Sequence, residues 1–163
     1  MANPLYSNYT LNDFDKFDCV KLSMSIYLIL LFVLRGYIVF FLTVTNMRDQ
    51  VGIIKWVYPD PLMFYLSLVS GVIGLFVAIV LILRRPDAKE WVKVCWKYCR
   101  VLLIIALVFD LVISALGYFY WQLSSVMWLI IQMLLVAFAI FLCFSNKRFA
   151  INLQEFPEKL SEE

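Results

Sequence analysis

Four long apolar runs constrain this chain more than any other feature of its sequence. They extend over residues 22–45, 61–83, 101–120 and 124–144, and each is close to the ~20 residues with which an α-helix crosses a bilayer. Backbone amides and carbonyls inside hydrocarbon must bond within their own segment, and these runs lack the alternation of barrel strands. The sequence therefore predicts an all-α integral membrane protein, a four-transmembrane-helix bundle that forms one domain over residues 1–163.

Lysine and arginine are distributed unevenly among the segments that connect these runs. With four spans, the N-terminal tail, the loop 84–100 and the C-terminal tail 145–163 share one side of the membrane. Eleven of the 14 basic residues lie on that side, and only Arg48 and Lys55 lie in the two loops of the opposite side. Because short loops rich in lysine and arginine stay in the cytoplasm, we expect both termini to be cytoplasmic.

The loop 84–100 alternates aromatic residues with cations, which is typical of a helix that lies on a membrane surface. Its basic face would then contact anionic headgroups of the lipid bilayer. A simple cytoplasmic extension of the third span fits the same pattern, and both interpretations stay open. The basic residues of this segment are Arg84, Arg85, Lys89, Lys93, Lys97 and Arg100.

Small residues recur every four positions in the second run. Ser67 and Gly71 form one line, and Ser70, Gly74 and Ala78 form an adjacent line. Small side chains at this spacing let two helices approach closely, so we expect this face to contact another helix and not lipid. That helix belongs either to the same chain or to a partner.

Few polar side chains interrupt the apolar runs, and the most notable are Arg35, Asp110 and Gln132. Charges inside a membrane are costly and need partners or water. Counted from the inner ends of their spans, Arg35 and Asp110 lie at similar depths, and the long arginine side chain leans toward its own N-terminus. We expect a buried polar layer of these three residues, which either holds the bundle together or lines an ion or proton path.

The residue types needed for catalysis are scarce. The chain has no histidine, which removes the commonest general base and metal ligand. Its four cysteines fall on the cytoplasmic side, where thiols stay reduced, and Cys95 and Cys99 lack the C-x-x-C spacing of a redox pair or zinc knuckle. We expect no catalytic residues, metal, cofactor or nucleic-acid partner, although a membrane thiol or quinone oxidoreductase stays an alternative.

Several short motifs together resemble the YfeZ-like proteins, which are proteobacterial inner-membrane proteins with a domain of unknown function. The motifs are Phe14-Asp15, Lys21-Leu22, Arg35, Tyr58-Pro59-Asp60, Phe64-Tyr65, Arg85-Pro86 and Phe156-Pro157. The resemblance implies a bacterial inner membrane and brings no catalytic residues. We expect a non-enzymatic protein that acts by binding, as an accessory or assembly subunit of a membrane complex or as a small self-associating unit. A small oligomeric transporter or channel that uses Arg35 and Asp110 is the main alternative.

Overall fold

The structure, a computed structural model, describes residues 9, 13–15, 17, 19–45, 52–58, 60–121 and 125–157. The predicted start of the fourth span at 124, the basic residue Arg48 and the end of the C-terminal tail lie outside these residues. The described part is all-helical apart from an isolated antiparallel bridge between Phe14 and Val20. Its helices are α1 (Met24–Val33), α2 (Arg35–Thr45), α3 (Gly52–Val57), α4 (Pro61–Ile82), α5 (Glu90–Lys97), α6 (Cys99–Trp121), α7 (Val126–Ser145) and α8 (Lys147–Gln154).

Three of these helices, α4, α6 and α7, are long and apolar enough to cross a membrane. Local sequence defines where two of them begin. Asp60 caps α4 by accepting the amide of Leu62 at 2.8 Å, and Pro61 occupies the first helical position, where no amide donor is needed. Ser125 caps α7 by accepting the amide of Trp128 at 3.3 Å. The helices α1 and α2 supply a fourth crossing if they count together as one broken span.

The run 22–45 is divided in the structure, because α1 and α2 meet at Leu34 with a bend of 69°. Two contacts accompany the bend. The guanidinium of Arg35 donates to the carbonyl of Phe32 in the last turn of α1 at 3.2 Å. Gly36 approaches α4 so closely that a Cβ there would lie 2.6 Å from the Ser67 hydroxyl oxygen. A glycine and a side chain that bonds to the helix carbonyls are common causes of a sharp kink.

The helix α4 packs most extensively against α6 and also contacts α1 and α2. Three of its small residues, Ser67, Gly71 and Gly74, lie against α1 and α2, whereas the Ser70 hydroxyl is directed at α6. Gly71 lies against Tyr37 and the carbonyl of Val33, and Gly74 lies against the Val33 side chain. The predicted lines of small residues therefore contact a helix of the same chain: Ser67, Ser70, Gly71 and Gly74 are buried, and Ala78 is half-buried.

Replacing Gly74 with alanine is expected to destabilise the bundle by ~1–3 kcal/mol, the usual cost of overpacking a core. The new Cβ would lie 2.5 Å from Cγ1 of Val33, a buried β-branched side chain with little rotamer freedom. Gly117→Ala is the matched control, because the nearest atom to its Cβ would be the Met63 sulfur at 3.5 Å. Thermal unfolding in detergent measures both variants, and equal stabilities would contradict this packing.

One end of the bundle carries a cap, which consists of residues 19–25, α5 and residues 146–157. These segments are far apart in sequence but are joined by direct hydrogen bonds. The Trp96 indole donates to the Asn152 carbonyl at 2.8 Å, and the Ser23 amide donates to the Asn152 side chain at 2.8 Å. Arg84 donates to the Glu155 carbonyl at 3.2 Å. Residues 19–25, residues 146–157 and the loop 84–100 thus lie together at the same end of the bundle.

The loop 84–100 contains a helix of its own, α5, which ends at Tyr98 just before α6 begins. Val92 and Trp96 are buried against the rest of the cap, while Lys93 and Lys97 are exposed. Of the two interpretations left open by the sequence, a separate amphipathic helix describes α5 better than a continuous extension of α6.

Candidate functional site

The most unusual part of the structure is a polar network between the helices, which consists of Arg35, Ser70, Asp110, Ser114 and Gln132. Each of four helices contributes to it. Arg35 begins α2 at the bend, Ser70 lies on the small-residue face of α4, and Gln132 lies on the buried side of α7. Asp110 and Ser114 are one turn apart on α6. The structure thus brings Arg35, Asp110 and Gln132, the three residues of the predicted layer, into contact.

The strongest contact in the network is a two-point ion pair between Arg35 and Asp110. One guanidinium nitrogen of Arg35 lies 3.0 Å from Oδ2 of Asp110, and the other lies 3.1 Å from Oδ1. Such fork-to-fork pairs fix geometry as well as neutralise charge. The guanidinium also lies 4.8 Å from the centre of the Phe32 ring, which adds a cation–π contact.

Two further donors complete the surroundings of the Asp110 carboxylate. The Ser70 hydroxyl donates to Oδ1 at 2.7 Å, and the Gln132 amide donates to Oδ2 at 2.9 Å. The same Gln132 nitrogen donates to the Ser114 hydroxyl at 2.7 Å. An ionised carboxylate has about four acceptor positions, so these donors and the arginine fill them all. The network therefore gives the Asp110 carboxylate a hydrogen-bond donor at each of its acceptor positions.

The two charged members of the network differ in exposure. The Asp110 side chain is 1% exposed, but 27% of the Arg35 side chain is exposed. Asp110 lies eleven residues from either end of α6, and so its partner Arg35 is near the middle of the bundle. The structure thus leaves part of the Arg35 side chain exposed near the middle of the bundle.

Sequence reasoning assigned Ser70 only to helix packing and did not predict its hydrogen bond to Asp110. Its position gave a signal, because a serine on the buried face of an apolar span needs an acceptor. Ser67 has a similar second role, since its hydroxyl is 2.8 Å from that of Tyr58. The other small residues of the line, Gly71 and Gly74, take part in packing alone.

The cysteines do not form a site in the described part of the chain. None of the four is in a disulfide; Cys19, Cys99 and Cys143 are buried, and Cys95 is half-buried. Among the described residues there is no group of three or more cysteines and acidic residues placed to hold a metal ion.

The basic residues of the loop 84–100 divide into two sets. Arg84 and Arg100 point inward: the Arg84 guanidinium lies 4.8 Å from the Trp96 ring, and that of Arg100 lies between Phe144 and Phe149. Burial lowers the pKa of Arg84, and the nearby Cys19 and Glu155 act in the opposite direction. The outward set consists of Arg85, Lys89, Lys93 and Lys97.

A sequence profile for a family described as "Protein of unknown function (DUF2919)" matches residues 9–155. The chain belongs to this family. The matched range includes every residue of the Asp110 network and all described residues except Phe156 and Pro157. No curated protein and no solved structure matches the chain.

Proposed function

We propose that this DUF2919 protein acts by binding within the membrane, as an accessory or assembly subunit of a larger complex or as a small self-associating unit. The observation that carries the proposal is the exposed part of Arg35. The Asp110 network leaves 27% of that side chain exposed, near mid-span. In a bilayer, exposing part of an arginine side chain at this depth is costly even when its charge is paired, and a protein that covers it would reduce the cost.

The surface around Arg35 suits a helical partner. Ile38 and Leu42 follow Arg35 on the same face of α2, at the helical spacings of three and seven residues, and both are exposed. A partner helix on this face would pack against apolar side chains and give Arg35 a polar contact or exclude lipid from it. The Arg35–Asp110 pair would then stabilise the conformation of this face of α2, and it would not transfer a proton.

A small oligomeric transporter or channel is the second candidate, and the bend at Leu34 favours it. Broken helices near the middle of a membrane often line substrate or ion sites in transporters. Here the break lies next to a charged residue that is partly exposed. This candidate requires water to reach Arg35 and Asp110 from both sides of the membrane.

We place the protein in a bacterial inner membrane as a YfeZ-like protein, with four spans and both termini in the cytoplasm. The excess of lysine and arginine in the tails and the middle loop supports this orientation. The shared location of those segments in the cap is compatible with it, because all of them must then lie on one side.

Site-specific photo-crosslinking in native membranes tests the proposed function. A benzophenone amino acid at Leu42 is compared with one at Leu135 of α7, which is a leucine of similar exposure (49% and 46%) on a different helix. We expect a discrete protein adduct from Leu42, at the mass of a dimer or of a complex, and none from Leu135. The absence of any protein adduct at Leu42 would contradict the proposal.

A measurement of proton flux in liposomes tests the transporter. Proton flux that is present with the wild-type protein and abolished by Asp110→Asn would favour the transporter instead.

A further inference from the structure

A groove of about 490 Å³ opens on the cap, between α5, the start of α6 and the C-terminal segment. One side of it is cationic and the other is apolar. Its lining residues include Lys93, Lys97, Arg100, Trp96, Leu153 and Phe156. No acidic side chain is among the residues that line it. We call this feature the basic groove.

The charges of the basic groove are only partly neutralised. Lys93 is paired with Glu90 at 2.8 Å. Lys97 and Arg100 have no ion pair within the described ranges. Arg100 also has a buried Nε that finds no hydrogen-bond partner in the same part of the structure. The Arg100 guanidinium therefore has charge and hydrogen-bonding capacity that the described residues do not use, which suits an anionic acceptor from outside the chain.

The position of Arg100 points to the source of that acceptor. Its guanidinium lies 5.5 Å from the ring of Phe144, an exposed residue near the end of the candidate span α7, and 5.4 Å from the buried ring of Phe149. Arg100 itself is the second residue of the candidate span α6. The groove therefore lies where the apolar surface of the bundle ends, which is the level of lipid headgroups.

We propose that the basic groove binds the phosphate of an anionic phospholipid, with Lys97 and Arg100 contacting the phosphate and Phe144 contacting the first part of the acyl chain. Basic pockets at the ends of membrane helices are suited to such headgroups. The proposal is independent of the protein partner proposed for α2, because it concerns the opposite region of the molecule and needs only purified protein and lipid.

Native mass spectrometry of the full chain in detergent tests this site with phosphatidylglycerol and phosphatidylcholine as probes. The groove variant is Lys93→Gln/Lys97→Gln, since both side chains are exposed and their loss leaves the core intact. The control is Arg85→Gln/Lys89→Gln, which removes the same charge from exposed positions of the same loop that do not line the groove. We expect the wild-type protein to prefer phosphatidylglycerol, and the groove variant to bind it about tenfold more weakly, while the control stays within about twofold of the wild type.

Three outcomes would overturn the proposal. The first is equal binding of the two lipids by the wild-type protein. The second is an equal loss in the groove and control variants, which would indicate a general effect of surface charge. The third is displacement of phosphatidylglycerol by millimolar inorganic phosphate, which would make free phosphate and not lipid the occupant.

Discussion

Replacement of Asp110 alone by leucine is expected to lower the free energy of unfolding by ~3–5 kcal/mol, and Arg35→Leu alone by a similar amount, because each leaves an uncompensated charge inside the bundle. The double variant Arg35→Leu/Asp110→Leu is expected to lose much less than the two single losses combined. The reason is the two-point ion pair at 3.0 and 3.1 Å, in which each charge is the main partner of the other. Thermal unfolding in detergent of the wild-type protein, the two single variants and the double variant measures the coupling free energy between Arg35 and Asp110.

The exposed pair of Glu90 and Lys93 is the control for this cycle. Its atoms are also close, at 2.8 Å, but both side chains face solvent at an i,i+3 spacing on α5. Replacing either residue with leucine is expected to change stability by ~0.5 kcal/mol or less. If the losses at Arg35 and Asp110 simply add, the two groups do not interact, and an independent role for Asp110 in a proton path becomes the better account.

Asn152→Leu is expected to lower the free energy of unfolding by ~3 kcal/mol and to release residues 19–25 from the rest of the cap. The Asn152 side chain is fully buried, and it accepts the Ser23 amide at 2.8 Å and donates to the Val20 carbonyl at 2.7 Å. Leucine has a similar volume but makes neither bond, and each buried backbone group left unpaired costs ~1–3 kcal/mol. Thermal unfolding gives the stability, and limited proteolysis shows whether residues near Val20 have become accessible.

Gln154→Leu is the control for the cap, because Gln154 lies two residues further along and is exposed. We expect its unfolding temperature and its resistance to protease to equal those of the wild-type protein. Equal behaviour of Asn152→Leu and Gln154→Leu would mean that the asparagine does not join residues 20–23 to α8.

The parts of this fold that follow from local sequence could be predicted, and the parts that depend on distant contacts could not. The long apolar helices and the depth match of Arg35 and Asp110 follow from length and spacing. The bend at Leu34 was not predicted although Arg35 and Gly36 follow it in the sequence, because the break accompanies the close approach of Gly36 to Ser67 on another helix.

The cap was not predicted either, because it also depends on contacts between residues that are distant in sequence. Asn152 bonds to backbone atoms more than 100 residues away, at Val20 and Ser23, and nothing in the local sequence marks those partners. The sequence predicted that the tails share a side but not that they form a packed structure. Local sequence also does not show which basic residues of the loop 84–100 are exposed. Arg84 and Arg100 belong to the same charged loop as Lys97, but their guanidinium groups lie against aromatic rings.

We propose that α1 and α2 together cross the membrane once, so that α3 lies on the opposite side from the cap. The test is labelling of single introduced cysteines with a membrane-impermeant maleimide. One variant carries Lys55→Cys and the other carries Arg85→Cys as the cap-side comparison, both in a Cys95→Ser background. Lys55 and Arg85 are both exposed. We predict that the cysteine at 55 is labelled in intact cells, and the cysteine at 85 only after the inner membrane is opened. Protection of both until that membrane is opened would show that α1 and α2 form a re-entrant hairpin and would contradict the four-span account.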